Sequence, residues 1–329
     1  MSSIVAEHIK NKTFSKIYIL FGEEEFMKNY YAKQIVKLCV DDEFSEFNYV
    51  KMISDINFDT LENFVNSPPL FSDKKVVEIK NTGIFKSSKP SDKERLSSIF
   101  ENLSDEVILI FNESEVDKRG ALYKYVSKNG VCEVFNYRKT ADLKSWAQRL
   151  ISSRDIKISD SDLMYFLSLC PPSMNEILSE LTKLMYYKKD EGVILKQDIE
   201  QSVCKTVENK VFEMIDKAIC KKTEEALLMF NDLKTLSEPP ERILANISAE
   251  YMKIRKTKLL SNKYTRNEIA SMIKIPPFFA AGYIEKSKKI PMQKINDMIE
   301  LCRHTDYLMK NSLADKYAAL ERIIIQSQF

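Results

Sequence analysis

Between Lys16 and Phe135 five short apolar runs alternate with stretches of helical character, and this alternation constrains the fold more than any other feature of the sequence. KIYILF at 16–21, FNYVKM at 47–52, KKVVEI at 74–79, VILIF at 107–111 and VCEVF at 131–135 have the length and the branched or aromatic content of strands. Between them lie an amphipathic segment from about Glu24 to Leu38 and helix-compatible pieces at 58–65, 92–102 and 118–128. Strands joined through helices predict a mostly parallel sheet covered by helices, here a domain of residues 1–137.

From Ala141 the pattern becomes helical. LKSWAQRLISS and SDSDLMYFLSLC are followed by a break at Pro171 and Pro172, and MNEILSELTKLMYY then sets Ile177, Leu181, Leu184 and Met185 on one face. A turn around Asp190 to Gly192 and the short helix LKQDIEQSVC complete a compact helical domain at 138–210. Residues 211–329 read as a third, helical unit: VFEMIDKAIC, EEALLMFNDLKTL and ERILANISAEYMKIRKTKLL, then TRNEIASMI capped at Thr265, then two longer helices separated near Asn311. The pairs Pro239/Pro240 and Pro276/Pro277 delimit some of these helices.

Charge and cysteine usage narrow the function classes. A formal charge of +2, from 50 basic and 48 acidic residues, gives no global polycation, so nucleic-acid contact would rest on local placement. Cys39, Cys132, Cys170, Cys204, Cys220 and Cys302 lie far apart, and with only His8 and His304 beside them they announce no zinc site. They read as reduced thiols of a cytoplasmic protein. The N-terminus lacks the form of a secretory signal, and no apolar run approaches the roughly 20 residues that span a bilayer, so no membrane association is expected.

A glycine after the first strand raises the question of nucleotide binding. FGEEEF at 21–26 supplies three carboxylates where a phosphate cradle needs glycines and a lysine, and neither GxGxxG nor GxxxxGK[ST] occurs. The acidic run IFNESEVDKR after the fourth strand has no phosphate loop to work with. Helix capping is the expected role of the carboxylates, and no catalytic, cofactor or metal residue is assigned. His304 and Asp306, without a nucleophile nearby, read as helix-surface polar groups.

Two local features stand out. In VNSPPLFSDKKVVEI, Leu70 and Phe71 form an adjacent apolar pair between two prolines and two polar residues; they either anchor in a partner's pocket or cover the sheet. In YMKIRKTKLLSNK, Lys253, Arg255, Lys256 and Lys258 either meet phosphates or an acidic partner, or form a solvated helix face.

In its order of features the whole chain resembles the bacterial DNA polymerase III delta subunit family. The resemblance rests on IYILFGEEEF, SPPLFSDKKVVEI, NEILSELTKLMYY, VENKVFEMIDKAI and the closing MKNSLADKYAALERIII. It implies a degenerate AAA+-like (P-loop-type) α/β domain, a small helical lid domain and a helical collar domain, which is a multidomain α/β plus all-α class. It further implies a clamp-loader component of the replicative polymerase holoenzyme that hydrolyses no ATP itself. Its partners would be the sliding clamp, gamma/tau-type ATPase subunits carrying ATP and magnesium, a delta-prime subunit, and primed DNA in the assembled complex.

By position and chemistry the family's clamp-binding element falls on Leu70 and Phe71. Inserted into an apolar pocket of the clamp, they would favour the open ring. With Pro68 and Pro69 directly before them, not every flanking contact of the family's element carries over to this sequence. No serine-arginine-cysteine motif is present, and Arg154 in SSRD does not replace it, so no arginine finger is assigned. The four C-terminal cations are the candidate DNA-binding residues. The competing class is a DNA-binding scaffold or repair protein in which those cations dominate affinity.

Overall fold

The computed structural model describes residues 3–188, 192–203, 207–275 and 279–328. The chain divides into two units, Met1–Leu143 with Pro172–Leu178, and Lys144–Pro171 with Ser179–Phe329. The turn expected at Asp190, Cys204 and the pair Pro276/Pro277 lie outside the described residues.

In the first unit β1 (Ile17–Phe21), β2 (Tyr49–Ile53), β3 (Lys75–Lys80), β4 (Val107–Glu113) and β5 (Val131–Val134) form one parallel sheet in the order β2-β3-β4-β1-β5. Ile19 of the inner strand β1 faces Phe111 of β4 on one side and Cys132 of β5 on the other. Every residue of β1 is buried, which explains its unbroken apolar sequence: both faces of a parallel strand are covered.

The coverage follows the two-residue period of the strands. Tyr18, Leu20, Val76, Ile108 and Ile110 pack with Val5 of α1 (Ile4–Asn11) and with Ala32 and Ile35 of α2 (Glu25–Cys39). On the other face Ile19, Val77, Leu109 and Phe111 meet residues of three helices, which follow α3 (Ser45–Asn48): α4 (Phe58–Asn66), α5 (Pro90–Glu101) and α6 (Ala121–Asn129). Neighbouring β1 and β4 send their chains to opposite edges of the sheet, so the topological switch point lies between them.

Two details differ from the sequence reading. Phe47 and Asn48, expected in the second strand, belong to α3, where the Asn48 side-chain amide donates to the Phe44 carbonyl at 3.2 Å and closes the turn. Helix α1 was not anticipated. It is short, buries only Val5 in full, and is fixed by contacts that local pattern does not reveal: the Val5 N–H donates to the Glu133 carboxylate, and His8 shares a 2.8 Å hydrogen bond with the buried Tyr18 hydroxyl.

Helices α7 (Thr140–Ser152) and α9 (Met174–Tyr187) contribute residues to both units. The second unit also contains β6 (Lys157–Ile158), α8 (Asp160–Leu169), β7 (Val193–Ile194) and α10 (Lys196–Ser202), with β6 and β7 paired in parallel. It continues through α11 (Val207–Ile219), α12 (Thr223–Thr235), α13 (Pro240–Leu260), α14 (Arg266–Ile273), α15 (Ala280–Lys289), α16 (Met292–Lys310) and α17 (Lys316–Gln326). Phe230, Ile247, Tyr251, Ile254, Ile295 and Leu320 lie in its continuous core. The cap expected at Thr265 is present at the start of α14, where Thr265 and Glu268 form a capping box.

Candidate functional site

The apolar pair sits in the loop between α4 and β3, and both side chains face outward: Leu70 is 46% exposed and Phe71 79%. Single exposed apolar side chains are ordinary on a protein surface; what distinguishes these two is that they are adjacent and that the loop beneath them is fixed. This loop is fixed from two sides. Asn48, fully buried, donates to the Leu70 carbonyl at 2.6 Å and accepts from the Leu70 N–H at 2.9 Å. Lys75, also buried, donates to the Phe64 carbonyl, the Ser67 carbonyl and the Ser67 hydroxyl, closing the C-terminal end of α4 against β3. Burial pushes the Lys75 ammonium below its ordinary pKa.

Phe71 itself has a φ of +54°, in the left-handed region. For a residue with a Cβ this costs about 1 to 2 kcal/mol, and it persists only where the surroundings over-determine it. The two Asn48 bonds supply that determination, and the Phe71 ring rests against Phe44 with centroids 5.0 Å apart. A groove of about 650 Å³ adjoins the ring. Its walls precede three different strands: Lys12 and Phe14 before β1, Val40 and Asp41 before β2, Phe71 and Lys74 before β3.

The opposite, C-terminal edge of the sheet is where parallel α/β folds bind ligands, and here protein groups fill it. The Gly22 φ is +116°, and a Cβ there would stand 2.5 Å from the Phe135 carbonyl oxygen. Glu24, fully buried, caps α2 through the Phe26 N–H and also accepts the Met174 N–H at the start of α9. Burial raises the Glu24 pKa against the opposing pull of these two amides. Lys28 is buried and spent on the Glu113 carbonyl and the Glu25 carboxylate. The Glu113 carboxylate takes the Thr82 N–H, the Thr82 hydroxyl and the Gly83 N–H. Among the described residues no group of three or more His, Cys, Asp and Glu side chains is placed to hold a metal ion.

The four C-terminal cations lie on α13, where Lys253, Arg255 and Lys256 line one groove and Lys258 does not. Lys253 pairs with the buried Glu250 at 2.6 Å. Lys256 donates to the Met272 carbonyl at the end of α14, and Lys258 to the Ser287 carbonyl of α15. Arg255 is exposed. Asp306 accepts from Lys310 at 2.7 Å, and His304 is exposed on α16. Among the described residues no helix is long and apolar enough to cross a membrane.

Asn48 and Lys75 went unnoticed in the sequence because their contacts are not periodic: Asn48 reaches a residue 22 positions away. The one local signal was a lysine inside the apolar run KKVVEI, a position that demands buried acceptors.

Comparison with known proteins is consistent along the chain. It is 24% identical to DNA polymerase III subunit delta of Bacillus subtilis, over 98% of this chain and 95% of that protein. It is 23% identical to a probable DNA polymerase III subunit delta of Aquifex aeolicus, over 75% of this chain and 72% of that one. Among solved structures the Bacillus subtilis DNA clamp loader delta protein superposes with a TM-score of 0.53 at 22% identity, covering 98% of both chains, a likeness of fold. The family model for the DNA polymerase III delta subunit matches residues 18–135, and that for its C-terminal domain matches residues 208–327. With both of these models matched in order, the chain belongs to the DNA polymerase III delta subunit family.

Proposed function

We propose that this chain is the clamp-contacting subunit of a clamp loader, and that Leu70 and Phe71 are the wedge it inserts into an apolar pocket of the sliding clamp. The observation that carries this reading is the pairing of exposure with fixation: two large apolar side chains face solvent on a loop whose backbone is held by buried Asn48 and Lys75. A pre-fixed wedge loses little conformational entropy on docking, so more of its burial appears as affinity. Binding the open ring better than the closed one then shifts the clamp toward opening.

In this reading residues 1–137 are a degenerate AAA+-like domain, 138–210 a lid and 211–329 a collar. The C-terminal ends of β1, β3 and β4 support a subunit that hydrolyses no ATP, since the Phe26, Thr82 and Gly83 amides, the Lys28 ammonium and the Glu113 carboxylate are engaged within the fold. ATP and magnesium would act on gamma/tau-type neighbours, with a delta-prime subunit and primed DNA completing the complex. The DNA-binding scaffold reading draws less support, because Lys253, Lys256 and Lys258 hold partners inside the unit. The deciding experiment measures binding of the cognate clamp to the wild type and to a folded Leu70→Ala/Phe71→Ala double variant. Loss of binding in the double variant supports the wedge; equal binding rejects this site, and no binding by the wild type rejects the function.

A further inference from the structure

On α13, Met252 and Leu259 stand two turns apart on the outward face, and Met272 from the last turn of α14 lies alongside. Met252 is 49% exposed, Leu259 59% and Met272 36%, and together they floor a groove of about 350 Å³. Lys253, Arg255, Lys256 and Lys274 edge it, and no carboxylate is among its lining residues. Lys256 also fixes the groove's width, because its ammonium holds the Met272 carbonyl and so ties α14 to α13.

We infer that this α13–α14 groove docks an acidic amphipathic helix of a partner protein. The floor calls for apolar anchors at helical spacing; the distance from Met252 to Leu259 is about 10 Å along α13, matching two turns of such a helix. Methionines suit an adaptable contact, because their unbranched side chains repack against varied shapes. On the rim Lys253 already meets Glu250 and Lys256 holds the Met272 carbonyl, so Arg255 and Lys274 are the cations that select carboxylates flanking those anchors and speed encounter at low salt. A nucleic-acid backbone satisfies only half of the site, since phosphates gain nothing from a methionine and leucine floor. The groove shares no lining residue with the Leu70/Phe71 loop, so this inference stands whether or not the wedge reading holds.

The test uses the full chain and a fluorescent model peptide of about 18 residues built from Leu, Glu and Ala, with leucines at helical spacing. Its controls are the same composition with scattered leucines and a version with Lys in place of Glu. Anisotropy should show preference for the acidic amphipathic peptide, weaker at high salt, with Leu259→Glu and Arg255→Glu each reducing affinity about tenfold or more. Both positions are exposed, and circular dichroism confirms that the variants keep their fold. Equal binding by wild type and variants, or by the Lys peptide, overturns the proposal. So does failure of the acidic peptide to bind while a short DNA duplex binds and is weakened by Arg255→Glu, an outcome that assigns the rim to DNA.

Discussion

Asn48 grips Leu70 by both faces of its side-chain amide, so one buried residue satisfies the backbone donor and the backbone acceptor of the residue that begins the exposed pair. Replacing it with Ala leaves those groups without their partner and should cost about 1 to 3 kcal/mol. Asp keeps the acceptor but loses the donor and turns a carboxylate toward the Leu70 carbonyl, so Asn48→Asp should be at least as damaging. Urea unfolding measures the cost. Hydrogen exchange at Leu70 should quicken in both variants, and unchanged exchange would show that the amide is not what holds the loop.

The wedge separates affinity from stability. Because Leu70 and Phe71 are exposed, the double alanine variant should unfold within about 0.5 kcal/mol of the wild type. Clamp binding should fall at least about 100-fold, the value of two large apolar side chains. Phe71→Gly is the sharper variant: glycine adopts the left-handed backbone without a Cβ penalty, so the loop keeps its path and only the ring is lost. Calorimetric titration with the clamp distinguishes the two effects.

Lys75→Met removes three hydrogen bonds from the C-terminal end of α4 while keeping much of the side chain's volume. The buried acceptors left behind should lower stability by about 1 to 3 kcal/mol. If the loop depends on this anchor, clamp affinity should fall as well, with Leu70 and Phe71 untouched. A variant that unfolds earlier yet binds the clamp normally would assign Lys75 to stability alone.

Glu24 predicts a pH dependence. Its folded-state pKa is raised above the ordinary 4.5, chiefly by burial, so the folded chain holds this proton more tightly than the unfolded chain. Its contribution is complete below 4.5 and is lost as pH rises through the raised folded value. Stability of the wild type relative to Glu24→Gln should therefore decline as pH increases across that window. A difference that stays flat or grows with pH would contradict the assignment.

Magnesium ATP titrated into the purified chain should give no saturable binding up to about 1 mM, because the β1–α2 turn presents Glu23 and Glu25 and the nearby Lys28 is buried on the Glu113 carbonyl. Micromolar affinity would require the turn to rebuild itself and would reopen the nucleotide reading.

Much of the architecture was legible because it is written in short-range periodicity. VILIF became β4, MNEILSELTKLMYY became α9 at both ends, and Thr265 capped α14. The pair Leu70 and Phe71 stood out in the sequence, but adjacent apolar residues beside prolines leave open whether they cover the sheet or face solvent, and only the structure shows them exposed. What escaped notice depends on distance or on weak local signal. Helix α15 has a polar, lysine-rich end, yet Lys286 is buried over the Phe212 ring of α11, 3.4 Å from its centroid. The two-residue strands β6 and β7 are too short for any period to register.

The loop bearing Phe71 precedes β3, whereas Gly22 follows β1 and Glu113 ends β4. In a parallel sheet these are opposite rims, separated by the full length of strands that run roughly 3.3 Å per residue. A panel of five parallel strands whose three inner members, β1, β3 and β4, are buried almost throughout bends little, so a push at one rim arrives at the other as displacement of the whole panel. The domain is thus built like a key: whatever turns the bow carries the tip with it, and no message has to be relayed through changing side-chain contacts on the way.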